Sequence, residues 1–168
     1  KSLILDYYRE LETATPETVA GIIDSYTGSD YTWYGVHPFD EQKGSEAVAE
    51  TFWKPFLRAW RSVQRRQDVF MAGTSEIDNT DWVTSMGHFM GLFDGDWLGI
   101  PASRKIALLR YADFNCIENG KITRSGFFCD IIGVMNQVGI HPLPPQTGAS
   151  FIYPGPRTHD GQLFAPQD

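Results

Sequence analysis

The stretch "RKIALLRYADFNCIENGKITRSGFFCDIIGVMNQVG", residues 104–139, decides how this chain is read. Its first two segments, 104–117 and 121–130, alternate and are rich in β-branched and aromatic residues, which is the signature of strands. Between them stands Asn119-Gly120, the strongest short hairpin signal, because both central residues of a tight primed turn need positive φ. With those two at the turn, Glu118 faces Lys121, Asn115 faces Arg124, Asp113 faces Gly126, Tyr111 faces Phe128 and Leu109 faces Asp130. Cross-strand partners share a sheet face and alternate residues stay on it. This register therefore gathers Tyr111, Asp113, Asn115, Arg124, Phe128 and Asp130 on one face. Ala112, Phe114, Phe127 and Cys129 fall on the other. The first face carries two carboxylates, a phenol, an amide and a guanidinium among apolar residues. Turned toward helices, it would form a pocket with an apolar body and a few convergent polar groups.

Working outward, "QDVFMAGTSEI" (67–77) and "DWVTSMGHFMGLF" (81–93) read as two further strands, so four run consecutively. The N-terminal third is helical. Leu3, Ile4, Tyr7, Tyr8 and Leu11 share one face of a first helix. Thr15 and Pro16 suit the start of a second, striped by Val19, Ile22, Ile23 and Tyr26. "DYTWYGVHPF" (30–39) reads as a strand with Trp33, Gly35 and His37 on one face. Residues 44–63 read as a third helix capped by Ser45 and kinked or divided at Pro55. The run "RSVQRRQ" (61–67) is expected to be its solvated end. Helices followed by an antiparallel meander indicate the α+β class, with helices on one face of a curved sheet. The expected domain covers residues 1–141, and the Pro- and Gly-rich residues 142–168 are expected to be a tail rather than a second domain.

Composition narrows the function. Hydrophobic residues make up 42% and aromatics 14% of the 168, enough for a substantial core. A net charge of -7 with no Lys/Arg cluster argues against nucleic acid and anionic membrane as partners. No apolar run approaches the roughly 18 residues of a membrane span. The two cysteines, Cys116 and Cys129, lack metal-type spacing and read as reduced thiols of a cytoplasmic protein. No secretory leader is legible, although the chain opens at Lys1 without Met, so a preceding segment stays open. The four histidines lie far apart, and neither a phosphate loop nor a nucleophile elbow is present. Every large motif class that announces itself locally is thus absent.

Several stretches together resemble the polyketide-cyclase (SnoaL-like) branch of the nuclear transport factor 2-like superfamily. They are "GLFDGDWLGIPASRK" (91–105), "YADF" around Asp113, "NGKI" (119–122) and "CDIIGVMNQVG" (129–139), with a looser match over 33–60. The resemblance implies a cone-shaped α+β barrel, a bent sheet around helices with a pocket in its mouth, and a homodimer through the outer sheet face. It also implies cofactor-independent acid/base chemistry, an aldol-type cyclisation or isomerisation, on an apolar carbonyl-containing small molecule. By alignment Asp130, at the end of the last strand, is the implied acid/base. Two stretches depart from the family pattern: Arg124, Ser125 and Gly126 replace its "EHW", and Arg104 replaces a glycine.

The expected site is thus Asp130 with His88 and Asp113 as catalytic candidates. Tyr111, Trp33, His37, Trp53, Asn115, Arg124 and Phe128 are the expected substrate contacts. Each has a plainer reading. Asp130 can cap the helix at 131–139, Asp113 can pair with Arg124, His88 can be structural, and the tryptophans can be core. A non-catalytic module that holds a small hydrophobic ligand is the alternative function.

Overall fold

The computed structural model describes residues 1–145, 147 and 148. Most of the expected tail, 142–168, lies outside the described residues.

Helix α1 (Ser2–Glu12) buries Ile4, Leu5, Tyr7, Tyr8 and Leu11 along one stripe, as its spacing predicts. Thr15 and Pro16 open a turn rather than the helix itself: the Thr15 carbonyl accepts from the Thr18 and Val19 amides, and α2 runs Val19–Tyr26. Strand β1 (Thr27–Gly35) follows, then a turn through a cis His37–Pro38 peptide and a short edge strand β2 (Glu41–Lys43). Because β1 ends at Gly35, His37 does not continue its face.

The third helix is divided, as Pro55 demands. Segment α3 (Ser45–Val48) passes through a π-helical turn (Ala49–Trp53) into α4 (Lys54–Ala59), where Pro55 lies in the first turn. Proline lacks the amide that would close the ordinary bond one turn back, so the ladder widens just before it. Gly44, not Ser45, holds the cap position. The helix also stops short of the expected Val63. Trp60 is already extended (φ -116, ψ 130), and β3 runs Trp60–Thr74. The "RSVQRRQ" run is therefore strand, which corrects its reading as a solvated helix end.

Strands β4 (Asp81–Phe93), β5 (Lys105–Glu118) and β6 (Lys121–Cys129) complete one six-stranded sheet in the order β2-β1-β6-β5-β4-β3. All pairs are antiparallel except β1 with β6. Strand β3 carries two irregularities against β4, between Arg61 and Gln64 and between Gln67 and Val69. Glycines face both. A Cβ on Gly87 would collide with the Arg66 carbonyl oxygen, and one on Gly91 would come within 3.0 Å of the Arg61 carbonyl oxygen. The bare backbone at these points lets β3 bend across β4 and curves the sheet. On the helix-facing side Phe52, Phe56, Phe89, Phe93, Trp97 and Phe127 join a continuous aromatic core. After β6, α5 (Ile131–Gln137) packs on β5, where the Gln137 amide bonds both the N–H and the carbonyl of Leu108.

Candidate functional site

The Asn119-Gly120 turn forms as expected, with φ of 52° and 73°. Glu118 pairs with Lys121 and Ile117 with Ile122. Beyond that the register slips by one residue: Cys116 pairs with Arg124, Asn115 with Ser125, Asp113 with Phe127 and Tyr111 with Cys129. A bulge at Thr123 is the cause. Since side chains alternate with period two, one extra residue turns the rest of β6 over. Tyr111, Asp113 and Asn115 do face the helices, but Ser125 and Phe127 face them too. Arg124, Gly126 and Phe128 lie on the outer face, which corrects their assignment to the pocket. Phe127 likewise leaves the outer apolar patch, and Phe128 joins Ala112 and Phe114 there.

Asp113 sits at the centre of the inner polar cluster, with a side chain 9% exposed. The Tyr8 hydroxyl donates to its Oδ2 at 2.7 Å. Upstream, Tyr31 donates to Ser125 (3.1 Å), Ser125 to Asn115 (2.7 Å) and the Asn115 amide to the Tyr8 oxygen (3.3 Å). Four donors thus point one way along a chain that ends on the carboxylate, and bonds so aligned polarise one another. Burial pushes the Asp113 carboxyl above its ordinary range, against the pull of Arg65 and the Tyr8 bond. Tyr8 is pushed well above the usual phenol range, first by burial and then by the Asp113 charge.

The cation partner of Asp113 is Arg65, not Arg124. Arg65 Nη1 lies 3.6 Å from Asp113 Oδ2, and its side chain is only 3% exposed. Its guanidinium carbon lies 3.8 Å from the Tyr8 ring centroid and 4.6 Å from those of Phe89 and Tyr111. Burial opposes its charge, yet Tyr111, Tyr8 and Asp113 together keep its pKa raised. Arg124 instead reaches Asp78 (3.3 Å) and lies over the Trp82 ring on the outer face. Sequence reasoning missed Arg65 because its run reads as the solvated end of a helix, whereas it lies in β3 with Val63, Arg65 and Gln67 alternating toward the inside. Tyr8 was legible only as part of an apolar helix stripe.

Arg65 and Tyr8 line the inner end of a cavity of about 330 Å³ between α1, α4 and β3. Leu11, Trp53, Leu57, Trp60, Val63 and Phe89 form its body, while Glu12, Thr15, Arg61 and Ser62 stand at its rim. The size and the mostly apolar lining fit a small organic molecule. Trp53 lines it. Trp33 does not: it is buried in the core, stacked on Phe127 at 5.8 Å. His37 is exposed and faces Asp40. Tyr111 is buried behind Arg65, its hydroxyl 2.9 Å from Ser85.

Asp130 follows β6 and stands apart from this cavity. Its Oδ1 accepts from the Gly133 amide at 2.7 Å, so it caps α5. It borders a shallow groove on the outer face with Val36, Met86, Arg110, Ala112 and Phe128. His88 pairs in register with Arg66 and Arg110, also on the outer face, and its Nδ1 lies 3.2 Å from Asp68. Burial pushes its pKa down, against the pull of Asp68. The Cys129 thiol is pushed up to about 12 by burial and then by Asp130, so it is no nucleophile at neutral pH. Among the described residues no three His, Cys, Asp or Glu side chains converge as metal ligands, and no helix is long and apolar enough to cross a membrane.

This arrangement of helices inside a curved mixed sheet recurs in solved structures. A Shewanella denitrificans OS-217 protein designated by inference a SnoaL-like polyketide cyclase superposes with a TM-score of 0.62 at 13% identity, over 82% of this chain and 95% of that one. The chain has the nuclear transport factor 2-like fold, in the form shared with SnoaL-like polyketide cyclases. TsrD of Streptomyces laurentii (TM-score 0.62, 19% identity, 83% and 97% covered) is similar in the same way. So is a nuclear transport factor 2-like protein of Burkholderia thailandensis E264 (0.54, 13%, 80% and 95%). No family model matches the chain, and no curated protein does. At these identities the likeness speaks for the fold, and the site must speak for the chemistry.

Proposed function

We propose that this chain is a SnoaL-like, cofactor-independent acid/base enzyme that moves a proton on an apolar carbonyl-containing molecule held in the inner cavity. The observation that carries this reading is the hydrogen bond that Asp113 accepts from Tyr8, a residue lining the inner end of a mostly apolar, aromatic-walled cavity. When buried Asp113 is protonated, it donates to the Tyr8 oxygen, as Asn115 already does. The Tyr8 proton is then free to turn toward a substrate carbonyl. As a carboxylate removes an α-proton, Tyr8 stabilises the oxyanion that develops. Glu12 is the carboxylate among the lining residues and takes that proton. Return of the proton to another carbon isomerises the molecule, and attack of the enol on a second carbonyl closes a ring. The same reading includes a homodimer, through the outer face where Phe114 and Phe128 stand exposed, and a cytoplasmic location.

The test uses 2-tetralone, a small bicyclic ketone, and follows exchange of its α-protons in D₂O by NMR. The parent accelerates exchange over buffer, and Tyr8→Phe loses about tenfold or more of that acceleration. No acceleration by the parent ends the enzyme reading. A second reading, a binding module, is favoured by the engagement of Asp130 as a helix cap outside the cavity. Saturable binding of 2-tetralone without exchange would support it.

A further inference from the structure

Arg65 is a buried cation with unused capacity. Neither Nη1 nor Nη2 has a hydrogen-bond partner, and its ion-pair contact with Asp113, at 3.6 Å, is too long for a hydrogen bond. Aromatic rings cover it, and rings attract a cation without accepting its N–H bonds in full. An unsatisfied guanidinium in a folded protein calls for an explanation. A structural cation would be expected to find carboxylate or carbonyl oxygens for these donors. This one instead lines the end of a cavity.

We propose that the cavity takes a small planar aromatic acid, whose carboxylate or acidic enol oxygens complete the hydrogen bonds of Arg65 while its rings lie among Trp53, Trp60 and Phe89. This rests on the cavity being the ligand site, and it adds the charge and shape of the ligand. A guanidinium fork matches a planar anion in two parallel bonds, which a neutral carbonyl cannot reproduce. The cluster can also accept the added negative charge. Asp113 is the carboxylate within reach of Arg65, and its proton uptake would leave Arg65 to the ligand. Tyr8 from α1, Phe89 from β4 and Tyr111 from β5 also face the guanidinium and carry no charge at neutral pH. The volume of about 330 Å³ accommodates two fused rings.

Isothermal titration of the intact chain with 2-naphthoate and with 2-naphthalenemethanol separates charge from ring. The acid is expected to bind about tenfold or more tightly than the alcohol. Arg65→Lys keeps the charge but loses the fork, and should weaken the acid by about tenfold while leaving the alcohol within about twofold. Should that variant not fold, the parent comparison still decides. Equal affinity for the two ligands overturns this inference and leaves the cavity as a site for neutral molecules. Binding of neither overturns the inference together with the cavity as a ligand site. Tighter binding of the acid that Arg65→Lys does not change places the anion elsewhere and overturns the assignment to Arg65.

Discussion

The Tyr8 hydroxyl donates to the Asp113 carboxylate at 2.7 Å, across 105 positions of chain, and so ties the first helix to the fifth strand inside the sheet. Removing the hydroxyl leaves a buried carboxylate with one donor fewer. Tyr8→Phe is therefore expected to lose about 1–3 kcal/mol of stability, read by urea unfolding. A variant as stable as the parent would show that the bond is not maintained in solution.

Asp113 has a raised pKa in the fold, so the folded state binds its proton more readily than the unfolded state does. Its contribution to stability is least above the folded pKa and grows as pH falls toward the ordinary value of 3.8. Asp113→Asn does not titrate. Melting temperatures measured from pH 7 down to 4 should show the parent gaining on this variant as the solution is acidified. A constant difference would mean that burial does not raise the carboxyl.

His88 works in the opposite direction. Its folded pKa lies below 6.5, so below that pH the unfolded chain takes up a proton that the folded chain resists. Stability from this group is lost as pH falls through the window under 6.5. The parent should therefore lose ground to His88→Gln between pH 7 and 5 in the same melting series.

Asp130 is expected to act on stability alone. Asp130→Asn should be nearly silent, because Asn caps about as well, whereas Asp130→Ala should cost about 0.5–2 kcal/mol in denaturant unfolding. Proton exchange on 2-tetralone should be unchanged in both variants. Its loss in Asp130→Asn would return the chemistry to the end of β6.

The outer face gives a prediction of assembly. Phe128 is 55% exposed and Ile106 72%, on the same side as Phe114 and Ala112. A dimer mass is expected at micromolar concentration by sedimentation, and Phe128→Lys should shift it toward the monomer. A parent that sediments as a monomer would refute the homodimer.

Much of the fold was legible because its signals are local. The stripe of Ile4, Tyr7, Tyr8 and Leu11, the break at Pro55 and the turn at Asn119-Gly120 each depend on a few neighbouring residues and their backbone preferences. The sequence by itself determined these elements, the α+β class, and the placement of Tyr111, Asp113 and Asn115 on one face of β5. Tertiary structure alone decided what they face. A single bulged residue, Thr123, reversed the faces of Arg124, Phe127 and Phe128, because strand alternation carries any insertion to the end of the strand. The pairing of β3 with β4 turned Arg65 inward from a run that reads as solvated. The cost of burying that guanidinium is offset by Tyr8, Phe89, Tyr111 and Asp113, which stand on three other elements of the fold. Such compensation is a property of through-space contacts, and no local pattern of residues encodes it.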